Sequence, residues 1–157
     1  LAETGFDILS FDIETGTRAP LVQTPSDEGS GSLSADGRWI AYSSDETGRS
    51  EVYVKPVAGR GRATRISTNG GEYPAWRRDG REILYIEGRS TLMSVSVAAA
   101  AEAAIGRPAP LFQTRFGPSE ARPYDVSADG SRVLVSVVEG DVTQAPITVV
   151  VNWPARQ

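Results

Sequence analysis

One phrase occurs three times in the chain, and it leaves few folds open. "SADGRWIAYSS" (34–44) returns as "RRDGREILYIE" (77–87) and as "SADGSRVLVSV" (127–137). With the Asp-Gly turns aligned at Asp36, Asp79 and Asp129, the residues four further on are Ile40, Ile83 and Val133. Two beyond those stand Tyr42, Tyr85 and Val135, and three before each Asp stand Leu33, Trp76 and Val126. Asp-Gly makes a tight turn because Gly accepts a positive φ and the Asp carboxylate can bond nearby backbone N–H groups. Each turn opens into a run of alternating or continuous apolar residues, which is a strand signal.

The turns are 43 and 50 residues apart, a period that suits one four-stranded blade of a β-propeller. A second repeated phrase sets the phase. "APLVQT" (19–24) matches "APLFQT" (109–114), and "DILSFDI" (7–13) before it resembles "TLMSVSV" (91–97). The N-terminal residues therefore read as the second half of a unit. Strands are expected at about 38–44, 51–56, 81–87, 91–97, 131–138 and 146–153. Adjacent apolar residues, as in "EILYI" and "ITVVV", argue for sheets covered on both faces. "AAAAEAA" (98–104) favours helix but sits between two strands, and reads as an insertion with room for one helical turn.

The expected fold is all-β: a partial β-propeller of about three four-stranded antiparallel blades, thirteen strands in all, starting in mid-blade. The expected divisions are 1–24 (half blade), 25–68 (blade), 69–114 (blade) and 115–157 (last blade, three strands). "LSADGRWIAYSSDETGRSEVYVKPV" and "PAWRRDGREILYI" resemble the WD40-like (PD40) repeat of TolB-like propellers. "YDVSADGSRVLVSVVEG…APITVVVNW" resembles the last blade of propellers that follow a bacterial membrane-anchored serine/threonine kinase domain. The resemblance implies a protein- or ligand-binding module, part of a larger bacterial protein on the periplasmic or cell-surface side. Kinase motifs are absent from the sequence.

The 157 residues include no His and no Cys, so a Ser-His-Asp or Cys-His triad and the usual zinc ligand sets cannot be assembled. No catalytic residue, metal ligand or cofactor is assigned. The net charge of −4 gives no general attraction for nucleic acid or anionic membrane. No apolar run approaches the roughly 20 residues of a membrane helix. The cluster Arg60, Arg62 and Arg65 in "GRGRATR" reads as a solvated loop. The chain opens on Leu1 and shows no signal peptide, as expected of a segment processed or excised from a longer protein.

Candidate binding residues follow from blade geometry. Glu28, Glu72 and Asp125 stand near the starts of successive first strands, where they could face a central channel; the plainer reading makes them solvated loop charges. In an antiparallel blade the loop between the second and third strands opens on the same side as the loop entering the next blade. That side gathers Asp45, Glu46, Arg49, Glu87 and Arg89 with Glu28, Glu72, Tyr73, Arg122 and Tyr124, a mixed-charge surface with tyrosines that suits a protein or peptide partner. Trp39, Trp76 and Trp153 are expected to pack between blades. About three blades cannot close a ring, so a homodimer is expected, pairing terminal half-blades around Ile8, Phe11, Val149 and Val151. The alternative function is an accessory, gating propeller of a prolyl-oligopeptidase-like hydrolase. No "GxSxG" elbow is present to support it.

Overall fold

The computed structural model describes residues 5–59, 61–98, 104–117 and 122–137. Thirteen strands and no helix run through them. β1 (Ile8–Phe11) and β2 (Arg18–Val22) form a hairpin. β3 (Glu28–Leu33), β4 (Trp39–Ser44), β5 (Glu51–Pro56) and β6 (Thr64–Arg65) form a four-stranded antiparallel meander. The next sheet repeats this order with β7 (Glu72–Trp76), β8 (Glu82–Glu87) and β9 (Thr91–Ala98). Its outer strand is broken in two, β10 (Ala104–Ile105) and β11 (Ala109–Gln113), which pair with opposite ends of β9. β12 (Tyr124–Val126) and β13 (Val133–Val135) begin a fourth sheet. The expected strand at 146–153, Trp153, Val149, Val151 and the centre of the alanine run lie outside the described residues.

The repeated turn works the same way in the first and third copies. Asp36 accepts hydrogen bonds from the Ser34 hydroxyl and the Arg38 N–H, Gly37 N–H bonds Ser34 C=O, and Gly37 sits at φ +68°. Asp129 does the same with Ser127, Ser131 and Gly130. The Ser34 and Ser127 hydroxyls, with the backbone N–H bonds, hold both carboxyls well below the usual carboxylate range. In the second copy Arg77 replaces the serine and lies 3.5 Å from Asp79. The strand expected at 131–138 is observed as β13, Val133–Val135; just beyond it Ser136 N–H bonds Pro123 C=O and Val137 forms a single bridge with Phe116.

Sheets stack face on face, and the strand alternation sends alternate residues to alternate neighbours. Ile40 and Tyr42 pack with Val22, Ile8 and Tyr53 toward β1–β2. Ala41, Val52 and Val54 pack the other way, against Ile83, Tyr85, Val95 and Trp76. Leu84, Ile86 and Leu92 then meet Tyr124, Val133 and Val135. The residues four and six beyond each Asp thus always face the preceding sheet. Trp76 is buried in the second of these layers and Trp39 packs against it, as expected for the two tryptophans within the described residues. The first sheet leaves Leu9, Phe11 and Ile13 exposed.

Candidate functional site

Hydrogen bonds place the two families of loops on one edge. Asp27 N–H bonds Asp45 Oδ1 at 2.9 Å, and Asp45 N–H bonds Asp27 C=O. Gly71 N–H bonds Ser50 C=O, Ser50 Oγ bonds Gly71 C=O, and Thr114 N–H bonds Ser90 C=O. The β4–β5 loop is therefore tied to the segment entering its own sheet through Asp45 and to the one entering the next sheet through Ser50, and the β8–β9 loop is tied to the segment leading to the next sheet through Ser90.

The expected residues do not all serve a surface there. Glu28 is buried, 3% exposed, and accepts bonds from Thr24 N–H, Thr24 Oγ1 and Ser44 Oγ. It ties the entry of β3 to the end of β4, which corrects both the channel-facing and the solvated-loop expectation. Arg49 is also occupied: Nε bonds Glu51 at 2.7 Å and Nη2 bonds Thr68 C=O at 2.7 Å. Glu51, which sequence reasoning missed, is fully buried and also accepts bonds from Ser67 Oγ and Gly70 N–H. Burial alone pushes its carboxyl up, but Ser67, Arg49 and Gly70 outweigh that and hold it below its ordinary value. Tyr124 is buried rather than presented, its hydroxyl within hydrogen-bond reach of Tyr73 C=O (2.7 Å) and Leu84 C=O (2.9 Å). Burial pushes its phenol pKa far up. Arg122 lies over the Tyr124 ring and reaches Asp125 at 3.4 Å.

The carboxylate trio is corrected by register. In β3, Gly29 pairs with Ser43 and the next pair is Ser32 with Ala41. In β7, Glu72 pairs with Ile86 and the next pair is Ala75 with Leu84. Glu72 therefore corresponds to Gly29, not Glu28, while Asp125, opposite Leu134, corresponds to Ser32 and Ala75. The three carboxylates occupy different positions in their sheets, and no group of His, Cys, Asp or Glu among the described residues could hold a metal ion.

Glu72, Tyr73 and Arg89 do converge. With Ile86, Phe116, Gly117 and Pro123 they line a pocket of about 240 Å³ between the third and fourth sheets. Tyr73, at φ +55° in the bulge of β7, and Arg89, at φ +63° in the β8–β9 turn, are two of the three described non-Gly residues with positive φ. Side chains other than Gly reach this region at a cost of about 1–2 kcal/mol, and such strain gathers where a surrounding structure holds it for a purpose. Asp45, Glu46 and Glu87 lie on the same edge, the first two exposed. Phe116 and Pro123 were missed because the linker between "APLFQT" and "YDVSADG" carries no strand pattern.

No protein-family model matches the chain, and no curated relative is found by sequence. Solved structures do match. TolB from Acinetobacter baumannii superposes with a TM-score of 0.63 at 21% identity, over 82% of this chain and 31% of that one. An oligogalacturonate lyase in complex with manganese gives 0.55 at 18% identity, over 83% of this chain and 36% of that one. The chain thus spans about a third of the length of these structures. It shares the TolB-like β-propeller fold, a fold found in a TolB and in an enzyme alike.

Proposed function

We propose that the chain is a non-catalytic propeller segment of a larger extracytoplasmic bacterial protein, and that it binds a protein partner through the Tyr73–Arg89 pocket and the loops beside it. The observation that carries this reading is the convergence of two strained backbones, Tyr73 and Arg89, on one pocket. The pocket offers one acid, one cation and two aromatic rings, a composition suited to seating a peptide segment. The absence of His and Cys from the sequence supports a binding role over nucleophilic catalysis, and no described helix is long and apolar enough to cross a membrane. Self-association belongs to the same reading: the exposed Leu9, Phe11 and Ile13 of the first sheet would be covered by a second copy, and light scattering that shows only monomer at micromolar concentration would refute that part.

The test is selection of displayed peptides on the wild-type chain, followed by binding to Tyr73→Ala and Arg89→Glu. Peptides that need both residues support the proposal. Enrichment that is indifferent to both, or turnover of any ester, peptide, glycoside or phosphate substrate, overturns it.

A further inference from the structure

The edge opposite that pocket carries a larger opening. The repeated turns at Ser34–Trp39 and Arg77–Arg81 bound a groove of about 750 Å³ between the two central sheets, within the size range of ligand sites. Its walls are apolar: Trp39 and Trp76 come from facing sheets, with Ile105 behind them. Its rim is charged, and the charges do not balance. Asp36 is taken up by Ser34 and by Arg38, whose Nε lies 2.6 Å away. Asp79 accepts the Arg81 N–H and faces Arg77. Arg78 and Arg81 are both exposed, and among the described residues their guanidinium groups make no hydrogen bond or ion pair. Arg62, on the loop between β5 and β6, and Arg107, in the break between β10 and β11 next to the groove-lining Gly106, are also exposed. Asp27, Asp45, Glu46, Glu72 and Glu87 belong to the other edge. A chain of net charge −4 therefore holds a local surplus of cations beside an apolar slot.

We infer that this groove is a second binding site and that its occupant is an acidic peptide. An apolar side chain would sit against Trp39 and Trp76 while flanking carboxylates pair with Arg78 and Arg81, each guanidinium presenting donors that fit a carboxylate. A uniformly anionic polymer fits less well: it would meet Asp36 and Asp79 at the rim and would leave the apolar walls empty. Exposed arginines contribute selectivity and encounter rate more than tight affinity, so dissociation constants of about 10–500 μM are expected.

The probe is a capped peptide with one leucine flanked on each side by two glutamates, titrated against the full chain by tryptophan fluorescence and calorimetry. Saturable binding is expected, weakened about tenfold or more when glutamine replaces the glutamates and again in Arg78→Glu/Arg81→Glu. The double variant should keep the wild-type melting temperature, since both side chains are exposed and, among the described residues, make no ion pair. Arg89→Glu, on the other edge, should bind as wild type does, which separates this site from the one proposed above. No binding at about 5 mM peptide, or binding unchanged in the double variant, overturns the proposal. Tighter binding of an oligogalacturonate or polyphosphate through the same two arginines overturns the assignment to a peptide.

Discussion

Replacing Glu51 by Gln removes a charge from a site where no water reaches it. One oxygen of Glu51 takes the Ser67 hydroxyl and the Gly70 N–H, and the other takes Arg49 Nε. Gln can keep its carbonyl toward Ser67 and Gly70, but then its amide N–H group meets the guanidinium. The Arg49 side chain is 56% exposed and can turn to water, so the ion pair itself contributes no more than about 1 kcal/mol. The remaining cost is the weakening of two charge-assisted hydrogen bonds to neutral ones, about 1 kcal/mol each. The expected loss is about 2–3 kcal/mol, or roughly 1 M in the urea midpoint for a slope of about 2 kcal/mol/M. The carboxyl is held below its ordinary value of 4.5 in the folded chain, so its contribution is fully present above that value. It fades as the pH falls through the depressed folded value, because the unfolded chain then binds the proton more readily. Urea titrations of wild type and Glu51→Gln at pH 7, 5 and 3 should show a gap that narrows on acidification. A gap that is negligible at pH 7, or that stays constant or widens toward pH 3, would refute the account.

Arg89→Gly should raise stability by about 0.5–1 kcal/mol, since φ +63° costs Gly little while its freer unfolded chain offsets part of the gain; thermal melting reads the rise, and peptides selected on the wild-type pocket should lose affinity. Tyr124→Phe removes the one hydroxyl hydrogen shared between the buried Leu84 carbonyl and the partly buried Tyr73 carbonyl. A loss of about 1–2 kcal/mol follows, seen as a drop of roughly 3–6 °C in melting temperature. Gly71→Ala would put a Cβ 2.8 Å from Val52 Cγ2 and 3.0 Å from Ser67 Cβ; overpacking of this kind costs about 1–3 kcal/mol, and an unchanged urea midpoint would show that the contact yields freely.

The stacking of the sheets could be read from the sequence because it rests on local rules. An Asp-Gly turn fixes where a strand starts, and period two then decides that Ile40, Ile83 and Val133 share one orientation. Hydrogen-bonded acids were not readable in that way. Glu51 looks like any exposed acid at a strand start, yet its partner Ser67 stands 16 residues away on the segment that enters the next sheet. Glu28 finds Ser44 across the same distance. The bulges were also invisible, although the offset between the two acids was not: Glu28 stands eight residues before its Asp and Glu72 seven, so the count already sets Glu72 against Gly29, as the strand pairing does. Arg78 and Arg81 lie inside the repeat that was read most clearly, but their importance comes from which neighbouring charges are already taken, and that is a property of the assembled turns.

The bulge at the start of each inner strand works as an interchangeable fitting. The same place in successive sheets holds Ser30 at φ +52°, Tyr73 at φ +55° and then Pro123. Proline cannot adopt a positive φ, so the third copy gives up the kink and turns a rigid ring toward the pocket of the second. Because each sheet touches only its immediate neighbours, one fitting can be exchanged without resetting the next. A chain built this way can vary what it recognises one blade at a time while the layers that hold it together stay as they are.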